Sequence, residues 1–321
     1  MLRRYSGTCL LLLIGISAIA REYQNVPTQS VTAYAQVLHQ PIDEMSGIVK
    51  SRRYPNVYWV HNDSGDSARI FAIREDGSVI VPPWMQGSYY AGAAQDGKSE
   101  YPGIAVDMAA NNDWEDIAMD GDTLYIADTG NNGNARRDLG VYVLSEPNPE
   151  GVNRARALKW LPIAYPEQTA YPDTTAHYDC EALFVLKGRP YFLTKPRIPG
   201  QISAPETGTN LYRLDTQYTD RVNRLKKIDS AGDLGGWVTG ADLSPDGKTL
   251  AVLCHAPVAS VWLFEAKSGD RFLSGRARRL ILRGAGQCEA VCFADNNTLI
   301  VTNEDRALFR LSLSEFVEVN R

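Results

Sequence analysis

One pattern of apolar strand, tight turn, apolar strand, loop and third strand recurs five times along this chain, and a repeat of that size leaves few folds open. The first copy runs Ser46 to Val49, turns at Tyr54-Pro55-Asn56, and continues through Val57 to Val60 and Arg69 to Ile73. The second runs Glu115 to Met119, turns at Asp120-Gly121-Asp122, and continues through Thr123 to Ala127 and Val141 to Leu144. Glu181 to Val185, Gly240 to Ser244 and Glu289 to Phe293 open the remaining three, with turns at Lys187-Gly188, Pro245-Asp246-Gly247 and Asp295-Asn296-Asn297. Gly, Asn, Asp and Pro at these turns set the backbone for short hairpins.

The copies start 69, 66, 59 and 49 residues apart, which is how a β-propeller reads in sequence, one blade per copy. A fourth, outer strand follows the third in the first four copies: Gly103 to Met108, Ala157 to Tyr165, Asn223 to Asp229 and Arg276 to Leu282. Copy five has no room for one before Arg321, and the apolar segment Val31 to Leu38 supplies it, closing the ring and removing exposed sheet edges. The expectation is an all-β chain forming a single β-propeller of five blades. A sixth blade needs a degenerate unit, for which the long stretch from Pro82 to Asn112 is the best candidate, and an irregular mixed sandwich is the competing architecture.

Composition agrees with a folded domain: 321 residues are 44% hydrophobic and 22% charged. The 38 acidic against 33 basic residues give a net charge of -5, which provides no drive toward nucleic acid. Arg3 and Arg4 precede an apolar stretch from Cys9 to Ile19, and Ala18-Ile19-Ala20 fits a cleavage site. The expected organisation is a signal peptide over 1–20, an N-terminal lead over 21–30 and the propeller over 31–321, in a periplasmic or secreted protein without stable membrane insertion. A closed propeller is stable as a monomer. Cys180, Cys254, Cys288 and Cys292 remain in such a mature chain, as buried thiols or with one disulfide among them.

The first two strands of each blade are antiparallel, so the residues entering the first and leaving the second share one end of the axis. The starts are Asp113-Trp114-Glu115-Asp116, Asp179-Cys180-Glu181 and Gln287-Cys288-Glu289. The exits are His61-Asn62-Asp63-Ser64-Gly65-Asp66, Asp128-Thr129-Gly130-Asn131-Asn132, Thr194-Lys195, His255 and Asn303-Glu304-Asp305. Glu115, Glu181 and Glu289 recur at one repeat position and repel each other around a narrow axis unless a cation or proton intervenes. Hard oxygen ligands suit Ca²⁺ or another divalent cation better than zinc. The competing use of such acids is to hydrogen-bond the backbone of the next blade. Lys195 balances the acids or holds an anionic group, and Trp114 either stacks on a substrate or packs between blades. The insert from Trp84 to Tyr101 reads as a long loop that caps a mouth or makes an outward excursion. The pair Asp63-Ser64-Gly65 and Asp128-Thr129-Gly130 imitates an aspartic protease, but the bilobal chain that chemistry needs is absent. No C-x-x-C-H haem attachment occurs either.

The runs Ser46-Gly47-Ile48, His61 to Asp66, Asp113 to Ala118 and Asp128 to Asn132 resemble a widespread group of poorly characterised exported bacterial propeller proteins, over Ser46 to Leu313. More distantly the chain is similar to Ca²⁺-dependent propeller hydrolases, the gluconolactonase and regucalcin group and the esterase-like phytase group. That resemblance implies Glu115, Glu181 and Glu289 as metal ligands, with Asp128, Asn131 and Asp242 as companions. Met45-Ser46-Gly47 departs from the lactonase E-G-P triplet, Gly240 stands where the other copies start with Glu, and the dense acidic motif of calcium phytases is missing. The leading expectation is hydrolysis of a small-molecule ester, lactone or phosphoester, with Glu115 or Glu289 as ligand or base and Lys195 or His61 stabilising negative charge. Its rival is a non-catalytic module that binds a protein or glycan partner.

Overall fold

The computed structural model describes residues 26–255 and 258–320. The expected leader and its cleavage site lie outside the described residues. Among those residues no helix is long and apolar enough to cross a membrane.

Five antiparallel sheets follow one another along the chain. Blade one consists of Met45–Lys50, Val57–Asn62, Arg69–Arg74 and Ile104–Asp107, and blade two of Trp114–Asp120, Thr123–Asp128, Gly140–Ser145 and Lys159–Ala164. Blade three contains Cys180–Leu186, Arg189–Thr194, Thr209–Arg213 and Lys226–Ala231. Trp237–Leu243, Thr249–His255, Ser260–Glu265 and Arg276–Arg283 form blade four. Blade five has Cys288–Asp295, Thr298–Asn303 and Ala307–Ser312 from the C-terminal end of the chain, and its fourth strand, Ala35–Gln36, from the N-terminal end. The chain is a five-bladed β-propeller closed as its sequence predicts.

What holds the ring is visible in the strand alternation. Five apolar cores lie one between each pair of neighbouring blades, including one between blades five and one. Side chains alternate along a strand, so a strand buried on both faces feeds two cores. In blade four Leu250, Val252 and Cys254 pack toward blade three, while Ala251 and Leu253 pack toward blade five. Each fully buried Leu or Val contributes about 1.5–3 kcal/mol. Cys180, Cys288 and Cys292 are buried thiols in these cores, and burial pushes Cys180 and Cys288 up to about 12.

Short parallel strands staple the outer edges. Arg154–Arg156 precedes the fourth strand of blade two and lies on the fourth strand of blade one, and Asn223–Arg224 repeats this between blades three and two. Thr28–Ser30 precedes the fourth strand of blade five and lies on Arg276–Arg283 of blade four. The propeller therefore starts within the segment expected to be a lead. The stretch from Pro82 to Asn112 forms no sixth blade: it holds a 3-10 turn at Pro83–Met85, a parallel pair of Tyr89–Tyr90 with Ser99–Glu100, and blade one's outer strand. Its Tyr101 is buried, with a carbonyl that accepts from His39 Nε2 at 2.8 Å.

Candidate functional site

The innermost strand of every blade slips register by one residue at its first turn. The unpaired residues are Ser46, Glu115, Glu181, Thr239 and Glu289. Such a bulge leaves one residue out of the ladder and re-aims its side chain, and here it brings the acids to one mouth of the axis. Thr239, and not Gly240, is thus the blade-four counterpart of the glutamates. Its hydroxyl donates to the Cys288 carbonyl at 3.0 Å, tying blade four to blade five.

Glu115 lies at the centre of the acidic cluster. One oxygen from each of Asp63, Asp113 and Glu115 falls within 4.8 Å of the others, and Glu115, Asp179 and Glu181 form a second such triad. The Glu115 side chain belongs to a residue only 5% exposed, yet among the described residues no hydrogen bond or ion pair holds its carboxylate. Burial first, then Glu181, Asp63, Asp179 and Asp113, drive its pKa well above the carboxylate range. Burial, with Asp63 and Asp179, lifts Asp113 to about 6. Asp179 also reaches about 6 through burial and Glu181, although Lys195 and Arg197 pull it back. Glu289 rises to about 7, chiefly by burial. Gly130 makes the convergence sterically possible, since it passes directly under the Glu115 and Asp113 carboxylates.

The two triads differ in their counter-charges. Lys195 Nζ lies 2.8 Å from Glu181, and Arg197 binds Asp179 at 2.7 Å. Burial pulls the Lys195 ammonium down, but Glu181 and Asp179 outweigh it and its pKa is raised. Among the described residues, no ion pair of this kind reaches Asp63, Asp113 or Glu115. The residues fit a hard divalent cation: oxygen donors converge, the buried Glu115 carboxylate lacks a hydrogen-bond or ion-pair partner, and a glycine leaves the space.

One residue beyond the bulge, the axis is lined by Gly47, Asp116, Ala182, Gly240 and Ala290, of which only Asp116 has a long side chain. Its carboxylate accepts from the backbone N–H of Ile117 (2.8 Å), of Leu183 in blade three (2.8 Å) and of Ala241 in blade four (3.4 Å). Asp116 therefore ties blade two to blades three and four next to the bulge residues.

Several expected site residues are used otherwise. His61 is fully buried behind Gly47, its Nδ1 donates to the Asn62 carbonyl at 2.9 Å, and its ring meets Trp114 edge-on at 5.7 Å. Burial lowers its pKa to about 4, so it is neutral and unsuited to stabilise an anion. Asp128 pairs with Arg136 at 2.7 Å and accepts the Asp113 N–H at 3.2 Å, which makes it a support for Asp113 and leaves it outside both triads. Asn131 is likewise consumed: its N–H donates to Asp179, its amide donates to the Tyr178 carbonyl, and its oxygen accepts from Arg136 N. Asp242 sits deeper and accepts from Leu243 N and from Phe293 N of blade five. Trp114 is buried with its indole N–H on the Ala110 carbonyl, so its use is packing. Glu115, Glu181, Glu289 and Lys195 do meet at the mouth. Asp63, Asp113 and Asp179 join them; Asp113 and Asp179 each stand two residues before a repeat glutamate, which is the signal that could have found them, whereas Asp63 lies in a strand-exit run.

No family model matches the chain, and no curated protein matches it. Among solved structures it is similar to hydrazine synthase of Kuenenia stuttgartiensis, at 10% identity and a TM-score of 0.45 over 87% of this chain and 97% of that one. It is also similar to the PQQ-bound form of an aldose sugar dehydrogenase from Streptomyces coelicolor, at 11% identity and a TM-score of 0.44 over 90% and 99%. Blade count and closure rest on the strand pairing.

Proposed function

We propose that this protein is an exported propeller that binds one divalent cation, Ca²⁺ in the first instance, against Asp63, Asp113 and Glu115 and uses it to hydrolyse a small ester, lactone or phosphoester. The observation that carries this reading is the partnerless Glu115 carboxylate, buried among other carboxylates over Gly130. A bound cation would polarise a carbonyl or phosphoryl oxygen at the mouth. Glu289, half-buried and raised to about 7, is placed to hold or accept a proton near neutral pH. The stabilising positive charge is left to Lys195, since His61 is neutral. Asp128 and Arg136 fix the loop that carries Asp113.

Calorimetric titration of the metal-stripped protein with Ca²⁺, beside Glu115→Gln, tests the reading. Binding lost in the variant, with hydrolysis of a substrate in a panel of lactones, esters and phosphoesters that a chelator abolishes, supports it. No binding in either protein overturns it, and the acids then serve blade packing in a non-catalytic binding module.

A further inference from the structure

The second triad already contains a positive charge. Glu115, Asp179 and Glu181 are spaced like Asp63, Asp113 and Glu115, and Lys195 Nζ stands 2.8 Å from one of them. The other two, Asp179 and Glu115, also act on its charge, which reaches Asp63, Glu289 and Glu304 as well. The lysine is held in place from three sides. Its backbone N–H donates to the Asp179 carbonyl at 2.9 Å, its ammonium lies 5.4 Å from the centre of the Trp237 ring, and that indole N–H donates to the Pro196 carbonyl at 2.9 Å.

We propose that Lys195 is a built-in second cation: its ammonium occupies the position that a further divalent ion would take on the far side of Glu115, and so keeps the mouth mononuclear. This rests on the cation reading above and deepens it. An ammonium is a compact, strongly hydrated point charge with three donors, suited to a site shaped for a cation. A divalent ion placed beside it would meet like charge across a few ångströms in a dry site, where repulsion is poorly screened. Removing the ammonium therefore exposes three carboxylates with only Arg197 left to offset them.

The test is calorimetric titration of the metal-stripped full-length mature protein with CaCl₂, comparing the unaltered chain with Lys195→Met, Lys195→Arg and Lys195→Met/Glu181→Gln. The expected result is one ion for the unaltered chain and for Lys195→Arg, two for Lys195→Met, and one again when Glu181→Gln is added. A folded Lys195→Met protein with a single site and unchanged affinity overturns the inference. If the unaltered chain binds nothing, the cation reading fails separately; one ion gained by Lys195→Met and lost with Glu181→Gln would still sustain the role of Lys195, and none would sink both. Should Lys195→Met be unfolded in chelator, millimolar Ca²⁺ is expected to refold it, and failure to do so overturns the inference.

Discussion

A β-carbon on residue 130 would stand 2.1 Å from Glu115 Oε1 and 2.3 Å from Asp113 Oδ2, so glycine there is what allows these two carboxylates to converge. Gly130→Ala pushes the flexible ends of both acids apart without touching a blade core. Cation affinity is expected to fall at least about tenfold, roughly 1.4 kcal/mol, while the metal-free melting midpoint stays within a few degrees. Calorimetry and thermal melting on the same samples check both halves.

Asp116→Ala removes the acceptor shared by Ile117, Leu183 and Ala241. Buried donors left without a partner cost about 1–3 kcal/mol each. A loss of roughly 3 kcal/mol is expected in denaturant unfolding, and an unchanged midpoint would show that water replaces the carboxylate.

Acids whose pKa is raised by folding keep their protons to higher pH folded than unfolded, so the native chain binds more protons and stability falls as pH rises. Asp113, Asp179 and Asp242, at about 6, act mainly below neutrality. In that range His39, His61 and His255 oppose them, because burial lowers each from 6.5. Above the ordinary histidine value of 6.5 the acids stand alone. Glu289 titrates near 7, and Glu115 and Asp116 are raised well above their ordinary values. The metal-free midpoint is expected to drop between about pH 6.5 and 8, to drop less in Glu115→Gln, and to recover with Ca²⁺. Melting curves across that range, with and without the ion, check the sign.

Deleting the chain through Gln36 removes both Thr28–Ser30 and Ala35–Gln36. Blade five is then left with three strands and an open edge, which invites pairing with another chain. A lower midpoint and a shift to larger species in size-exclusion chromatography are expected.

Much of this architecture is legible in the sequence, because strands buried on both faces read as apolar runs between Gly, Asn, Asp and Pro turns. Four outer strands and the closing segment follow from the same pattern. The register of blade four does not: a bulge adds one residue to an apolar run, so Gly240 and Thr239 fit the repeat equally well, and only the pairing of Val238 with Cys254 and Gly240 with Leu253 decides. Thr28–Ser30 and Val317–Val319 are too short and too exposed to show alternation. At the site, the repeated glutamates are visible as a periodic signal, and so are Asp113 and Asp179, each two residues before one of them, whereas only the folded chain brings Asp63 from a strand exit to join them. The roles of His61, Asp128 and Asn131 depend on burial or on partners 5 to 48 residues away, and residue type alone does not give them.

Because Asp116 reaches from blade two to the backbone of blades three and four, one carboxylate fastens three of the five blades to one another. A change at that single group is then felt by three sheets together, and slackening there is expected to spread around the ring instead of staying in one blade.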